Sequence, residues 1–189
     1  MGAQRTGKQR TNALKHELVT SVQARSSAGA EVVYDLLADL PSHLDWGGER
    51  QSAKTRLVSI DAPEGPATVG TEFRTVGADH IGEFRDGSVV TEATRPSLFE
   101  VTEARLTTKK GTVADWTNVH RYQIAPDADG CTITYTVQVV RISALPGPLA
   151  LFNVPGLSRL ALKGAAAGER RGIRNLARLA EERAGVTGR

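Results

Sequence analysis

The sequence has a single cysteine, Cys131, so an intramolecular disulfide is excluded and a reducing, cytoplasmic setting is the expectation. It also has no uninterrupted apolar run. The most apolar window, Leu145 to Leu162, is broken by Pro146, Gly147, Pro148, Pro155, Gly156 and Arg159, which argues against a membrane-spanning helix. The basic N-terminus lacks a following apolar core, so no signal peptide is expected. Charge of one sign is scarce too. The net charge is only +3, with the basic excess at Arg5, Lys8, Arg10 and Lys15 and on the arginines of the last helical stretch. No aromatic residues interleave those arginines, which removes a base-stacking platform; they read as solvated faces, and no nucleic-acid partner is expected.

Motifs for several chemistries are missing as well. His16, His43, His80 and His120 are far apart and lack metal-ligand spacing, so no metal site is expected. No serine or cysteine sits in a nucleophile elbow. Gly164, Gly168 and Gly172 recur every fourth residue inside a helical pattern, which is not a phosphate-binding loop, and no cofactor is expected.

What is present is an α+β order. Residues 1–15 read as a disordered basic tail, and residues 16–186 as one domain. Glu17 to Arg25 alternates as a first strand. Ser26 or Ser27 offers an N-cap for a helix carrying Val32, Val33, Leu36, Leu37 and Leu40, and Pro41 stops it. A short helical turn follows at Ser42 to Trp46, closed by Gly47 and Gly48. Strands are expected at Lys54 to Ile60, Thr71 to Val76, Ser88 to Thr94, Leu98 to Thr107, Asp115 to Ile124 and Cys131 to Arg141. Turns are read at Asp86-Gly87, around Lys110-Gly111 and at Asp127 to Gly130. A Pro/Gly-punctuated connector, Ala144 to Gly156, leads into the final helix.

That helix, Leu157 to Ala184, places Leu157, Ala161, Gly164, Ala165, Gly168, Gly172, Leu176 and Leu179 on one stripe at about 100° per residue. A glycine inside a helix costs about 1 kcal/mol relative to alanine, so the small centre of this stripe implies a need for space. The expectation is a helix lying across a curved sheet, with a hollow beneath Gly164 and Gly168.

Several local signatures resemble the SRPBCC, or START-like, helix-grip superfamily, and within it the polyketide cyclase/dehydrase-type proteins. They are Ala30-Glu31-Val32-Val33-Tyr34-Asp35-Leu36-Leu37-Ala38-Asp39, His43-Leu44-Asp45-Trp46, Val69-Gly70-Thr71-Glu72-Phe73-Arg74, Thr94-Arg95-Pro96-Ser97-Leu98 and Gly130-Cys131-Thr132-Ile133-Thr134-Tyr135. The two glycines after Trp46 depart from the bulkier residues usual in that superfamily. The resemblance implies a curved antiparallel sheet of about six or seven strands around a long C-terminal helix, with two short helices after the first strand. It further implies a cavity for a hydrophobic molecule such as a lipid, quinone or polyketide, and carries no catalytic residue with it.

Strand alternation supplies candidates for such a site. Trp116, Asn118, His120, Tyr122 and Ile124 share one face, as do Ile133, Tyr135, Val137 and Val139; the aromatic and apolar content assigns both sets to the concave side. Trp116, Asn118, His120, Tyr135, Gly164, Gly168 and Trp46 are the expected ligand-binding residues, because apolar area with a few polar groups suits a small molecule. His120 is the candidate acid or base. Alternation does not settle the faces of Glu92 and Glu103; either could face inward as a partner for His120, but exposed strand carboxylates are commoner and no such dyad is expected. The leading expectation is a binding protein. The alternatives are a metal-free cyclase or dehydratase using His120, and a lipid-delivery module touching membranes or a partner through Leu149, Leu151 and Phe152.

Overall fold

A computed structural model of the chain describes residues 13–52, 55–79, 82–109, 112–143, 153–154 and 157–186. The first strand, β1 (Leu18–Ser26), follows its alternation: Leu18, Val22 and Ser26 are buried, and Val19, Ser21, Gln23 and Arg25 face outward. Helix α1 (Ala30–Ala38) buries Val33, Leu36 and Leu37 completely. The serines before it do not cap it. Gly29 occupies the N-cap position without a side-chain bond. Ser26 Oγ instead donates to Ala177 O at 3.2 Å, and the Ser27 amide donates to Glu181 Oε1 at 2.8 Å. Those groups tie the corner to the last helix, a long-range use that outranks a local cap.

A 3-10 turn (Leu40–Ser42) and a π-helical turn (Asp45–Glu49) then carry the chain to the opposite sheet edge. Gly47 and Gly48 lie inside the second turn rather than closing it. A Cβ on Gly47 would stand 3.1 Å from Leu57 Cδ1, and one on Gly48 would stand 3.1 Å from Leu57 O. The missing side chains let the turn sit against the strand that follows.

That strand is β2 (Arg56–Asp61), succeeded by β3 (Glu72–Ala78), β4 (Glu83–Thr94), β5 (Leu98–Lys109), β6 (Thr112–Asp127) and β7 (Gly130–Ile142). All pairings are antiparallel, in the order β1-β7-β6-β5-β4-β3-β2. β1 and β2 are therefore the two edges. The meander walks back from β2 to meet β1.

Asp86-Gly87, read as a turn, lies within β4, where Asp86 pairs with Thr75 on one side and Arg105 on the other. The β3–β4 hairpin closes instead between Asp79 and Gly82, whose backbones bond reciprocally at 2.9 and 3.1 Å. The turn at Asp127 to Gly130 stands as expected, and Gly130 explains why it needs glycine. Its φ is +140°, and a Cβ there would lie 2.1 Å from Ser26 O.

Helix α2 (Leu157–Ala184) crosses the concave side. Its back half carries the packing: Ile173, Leu176, Ala177 and Ala180 are buried with Val33, Leu36, Leu37, Tyr122 and Ile133 in the main core. Fully buried Asn175 donates through Nδ2 to Trp46 O at 3.2 Å and Arg50 O at 2.9 Å, satisfying carbonyls at the π-helical turn. Arg50 clamps Glu182 with two bonds of 2.9 and 2.8 Å. These contacts fix the back half of α2 over one end of the sheet.

The front half is turned differently from the stripe expected for it. Gly164, Ala165 and Gly168 are exposed, and a Cβ on either glycine would meet nothing within 4 Å. The side facing the sheet is Leu162, Ala166 and Glu169, continuous with Ile173. Gly172, Leu176 and Leu179 of that stripe are buried together with Ile173 and Ala177, but the front glycines of the column lie off the inward arc. Gly164 and Gly168 are thus corrected from cavity roof to outer flank. Among the described residues no helix is long and apolar enough to cross a membrane. Leu149, Leu151 and Phe152 lie outside the described residues.

Candidate functional site

Strand alternation puts one row of polar side chains on the concave face, crossing the sheet from β3 to β7. Thr75 and Asp86 begin it, Ser88 and Glu103 continue it, and Asn118, His120 and Tyr135 complete it. Apolar groups border the row on the same face: Phe73, Val90, Phe99, Val101, Tyr122 and Ile133 are all buried.

The centre of the row is a hydrogen-bonded chain. His120 Nε2 lies 2.5 Å from Glu103 Oε2, and its Nδ1 lies 2.7 Å from the Tyr135 hydroxyl. Asn118 Nδ2 donates to the same Glu103 oxygen at 3.4 Å. Tyr135 stacks on Tyr122 with ring centroids 4.4 Å apart. Glu103 thus faces inward as a partner of His120, where no such dyad was expected. Glu92 does face outward, pairing with Arg121 at 3.2 Å beside Glu100. A bulge in β4 between Val90 and Glu92 sets its register there.

Burial works against ionisation of Glu103. The hydrogen bond and charge of His120, with Arg105 and Asn118 behind them, outweigh it and hold the carboxyl below its usual range. Asp86 goes the other way. Burial, then the nearby Glu103 charge, raises it to about 6, despite hydrogen bonds from Thr75 and from Ser88 at 3.1 Å. Burial also pushes Tyr122 and Tyr135 upward, so both are neutral phenols at ordinary pH. Arg105 is already engaged. It ion-pairs with Asp79, donates to Thr107 at 3.2 Å and lies 3.8 Å over the Phe84 ring.

A further carboxylate arrives from the helix. Glu169 accepts a 2.6 Å bond from Thr20 on β1, and burial raises its pKa. It acts electrostatically on both tyrosines, as Glu103 does, so the two carboxylates bear on the same aromatic pair from helix and sheet. Among the described residues, no three histidine, cysteine, aspartate or glutamate side chains converge as a metal ion requires.

Asn118, His120 and Tyr135 thus come together, and Trp116 shares their face. Trp116 packs with Ala114 and Ile142 at the far end of β6, 5.7 Å from the Arg105 guanidinium. Trp46 belongs to the core, its ring 4.9 Å from His43 and 6.4 Å from Tyr122. Gly164 and Gly168 stand apart from the network. Sequence reasoning missed Asp86 and Glu169, and it left open the face of Glu103. The run Phe84, Asp86, Ser88, Val90 was a legible period-two signal for Asp86, and Ala166, Glu169, Ile173 a legible helical one for Glu169.

A seven-stranded antiparallel sheet curved around a long C-terminal helix, with α1 and two short turns between its edge strands, defines a helix-grip protein of the START-like kind. Within that class, the family described as "Polyketide cyclase / dehydrase and lipid transport" matches residues 17–181, and the chain belongs to it. Membership supports a ligand-binding or cyclase-type role. No curated protein matches the sequence.

Similar solved structures agree on the fold at low identity. A putative uncharacterized protein from Rhizobium leguminosarum is 14% identical with a TM-score of 0.62, covering 90% of this chain and 97% of its own. Protein CV1439 from Chromobacterium violaceum is 16% identical with a TM-score of 0.59, covering 86% of this chain and 97% of its own. The di-domain ARO/CYC StfQ from the steffimycin biosynthetic pathway is 17% identical with a TM-score of 0.60, covering 90% of this chain and 53% of its own.

Proposed function

We propose that the protein binds a hydrophobic small molecule, of lipid, quinone or polyketide type, on the concave face between the sheet and the front half of α2. The observation that carries this is the setting of the polar chain. His120, Tyr135, Val137 and Val139 are only half-buried, although they lie on central strands whose other inner residues form the core. Apolar walls supply affinity and a few polar groups supply orientation. Nile red, a neutral apolar dye, should bind saturably, and Val137→Trp, placed beside His120 on the facing strand, should weaken it with the fold retained by circular dichroism. Unsaturable binding, or affinity unchanged in the variant, overturns the reading.

The Glu103–His120 hydrogen bond favours a second reading, acid-base chemistry of cyclase or dehydratase type. Both imidazole nitrogens are engaged, so the hydroxyl presented to a ligand is that of Tyr135. A neutral Tyr135 donates a proton or hydrogen bond to a ligand oxygen, and His120, ion-paired with Glu103, makes good the loss. In this reading His120→Ala and Tyr135→Phe both abolish turnover of an accepted substrate; parent rates in either variant remove it. A cytoplasmic location and transient membrane contact through Leu149, Leu151 and Phe152 are further parts of the proposal. Salt-sensitive flotation with anionic liposomes tests the latter, and no flotation at low salt counts against it.

A further inference from the structure

Among the described residues, the concave side holds buried polar atoms without a partner, three carboxylate or amide oxygens and two indole N–H groups. Glu103 Oε1, Asn118 Oδ1 and Glu169 Oε2 are buried with no hydrogen-bond partner among the described residues. Asn118 is 4% exposed, and its amide nitrogen is already committed to Glu103, so its carbonyl oxygen is left as an acceptor without a donor. Glu103 has committed Oε2 to His120, and Glu169 has committed Oε1 to Thr20. Each residue therefore presents one spare acceptor. A buried acceptor without a donor is costly, which makes these three oxygens a strong demand the site places on a ligand.

The cations nearby do not offset that demand. Arg105 is held by Asp79 and stacked on Phe84, and His120 is bonded at both nitrogens. Arg170, which acts on Glu169, is exposed. The spare donors among the described residues are two neutral indoles, Trp116 at the far end of β6 and Trp46 in the core beside Tyr122, whose Nε1 atoms are buried without a partner. Two separate neutral donors suit hydroxyl or carbonyl oxygens and fall short of a carboxylate or phosphate, which would also face two carboxylates.

We infer that the site selects a hydrophobic molecule whose polar end carries hydrogen-bond donors and no negative charge, an amine or a hydroxyl, held between Glu103 and Asn118 on the sheet and Glu169 on the helix. This rests on the hydrophobic-ligand reading above and narrows it against anionic amphiphiles. The helix contribution is specific: Glu169 is the inward carboxylate of α2, between Ala166 and Ile173 on the side turned to the sheet.

The test is displacement of Nile red from the full-length protein at neutral pH by dodecylamine, dodecanol and dodecanoate, each kept below micelle formation. The amine and the alcohol should compete, with dodecanoate weaker by roughly tenfold or more. Glu169→Gln should reduce the preference for amine over carboxylate severalfold. Dodecanoate competing as well as the other two overturns the inference and leaves hydrophobic binding intact. Nile red binding with no displacement by any of the three also overturns it. An unchanged preference in Glu169→Gln removes the helix carboxylate and with it the two-sided site. Failure of Nile red itself to bind refutes the hydrophobic-ligand reading, and this one with it.

Discussion

Glu103 and His120 lie on neighbouring strands, facing the same side, and share a 2.5 Å hydrogen bond at the centre of the concave face. The pairing register explains the meeting. Glu103 pairs directly with Asn118, and His120 is two residues further along β6, so Glu103 reaches both. One carboxylate thereby organises an amide, an imidazole and, through the imidazole, two tyrosines.

Glu103→Gln should be destabilising at neutral pH, by about 1–3 kcal/mol, because a charge-assisted bond to His120 is replaced by a neutral one. The folded state holds Glu103 below its ordinary value of 4.5, so its contribution is present above that value and is lost as pH falls through the lower folded one. Urea midpoints for parent and variant should differ at neutral pH and converge in acid. Equal midpoints at neutral pH would show that the pair contributes nothing to stability.

Asp86→Asn should have the opposite sign. The folded state raises this carboxyl from 3.8 to about 6, so between those values the unfolded chain has lost its proton while the folded chain keeps it. Stability therefore falls as pH rises through that window. The variant should be more stable than the parent above pH 6 by roughly 1–3 kcal/mol and close to it in acid, read by urea unfolding at both ends. A variant less stable at alkaline pH would contradict the buried, unfavourable charge.

His43 provides an acid-sensitive lock of a different kind. It donates through Nε2 to Leu37 O at 2.9 Å, and burial lowers its pKa from 6.5 to about 4. As pH falls from 6.5 to 4 the unfolded chain takes up a proton that the folded one refuses, costing stability by about 3 kcal/mol at full effect. His43→Gln keeps a donor for Leu37 without the titration, so its melting temperature should fall less steeply over that range. Parallel curves for the two proteins would rule out His43 as the acid-labile group.

Asn175→Ala should cost about 2–3 kcal/mol, since it leaves the carbonyls of Trp46 and Arg50 without their buried donor. Because Asn175 joins α2 to the π-helical turn, the loss should fall on that junction. Hydrogen exchange should increase around 45–50 and 172–180 more than in β5 and β6. A uniform increase would mean that the asparagine supports the whole fold equally.

Much of the architecture is legible in local pattern. Alternation marks β1, β6 and β7 and correctly assigns Trp116, Asn118, His120 and Tyr135 to one side, because a strand's period of two leaves only two choices. Helix α2 is expected at Leu157 to Ala184 and found there. Errors arise where a local motif competes with a distant partner. Asp86-Gly87 looks like a turn until Thr75 and Arg105 flank it in the sheet; Ser26 and Ser27 look like caps until Ala177 and Glu181 engage them.

By itself the sequence determined the order of elements and the sides of the late strands, since these depend on periodicity and on residues close in the chain, and its local motifs carried the resemblance to the helix-grip family. Only the tertiary structure decided that Glu103 points inward, that Glu169 comes down from the helix to bond Thr20 on β1, and that Gly164 and Gly168 lie on the outer flank. The physical reason is the rotation of α2. A helix with apolar and small residues on more than one side is turned by what it packs against, and here the buried Ile173, Ala177 and Asn175 set that turn from the far end.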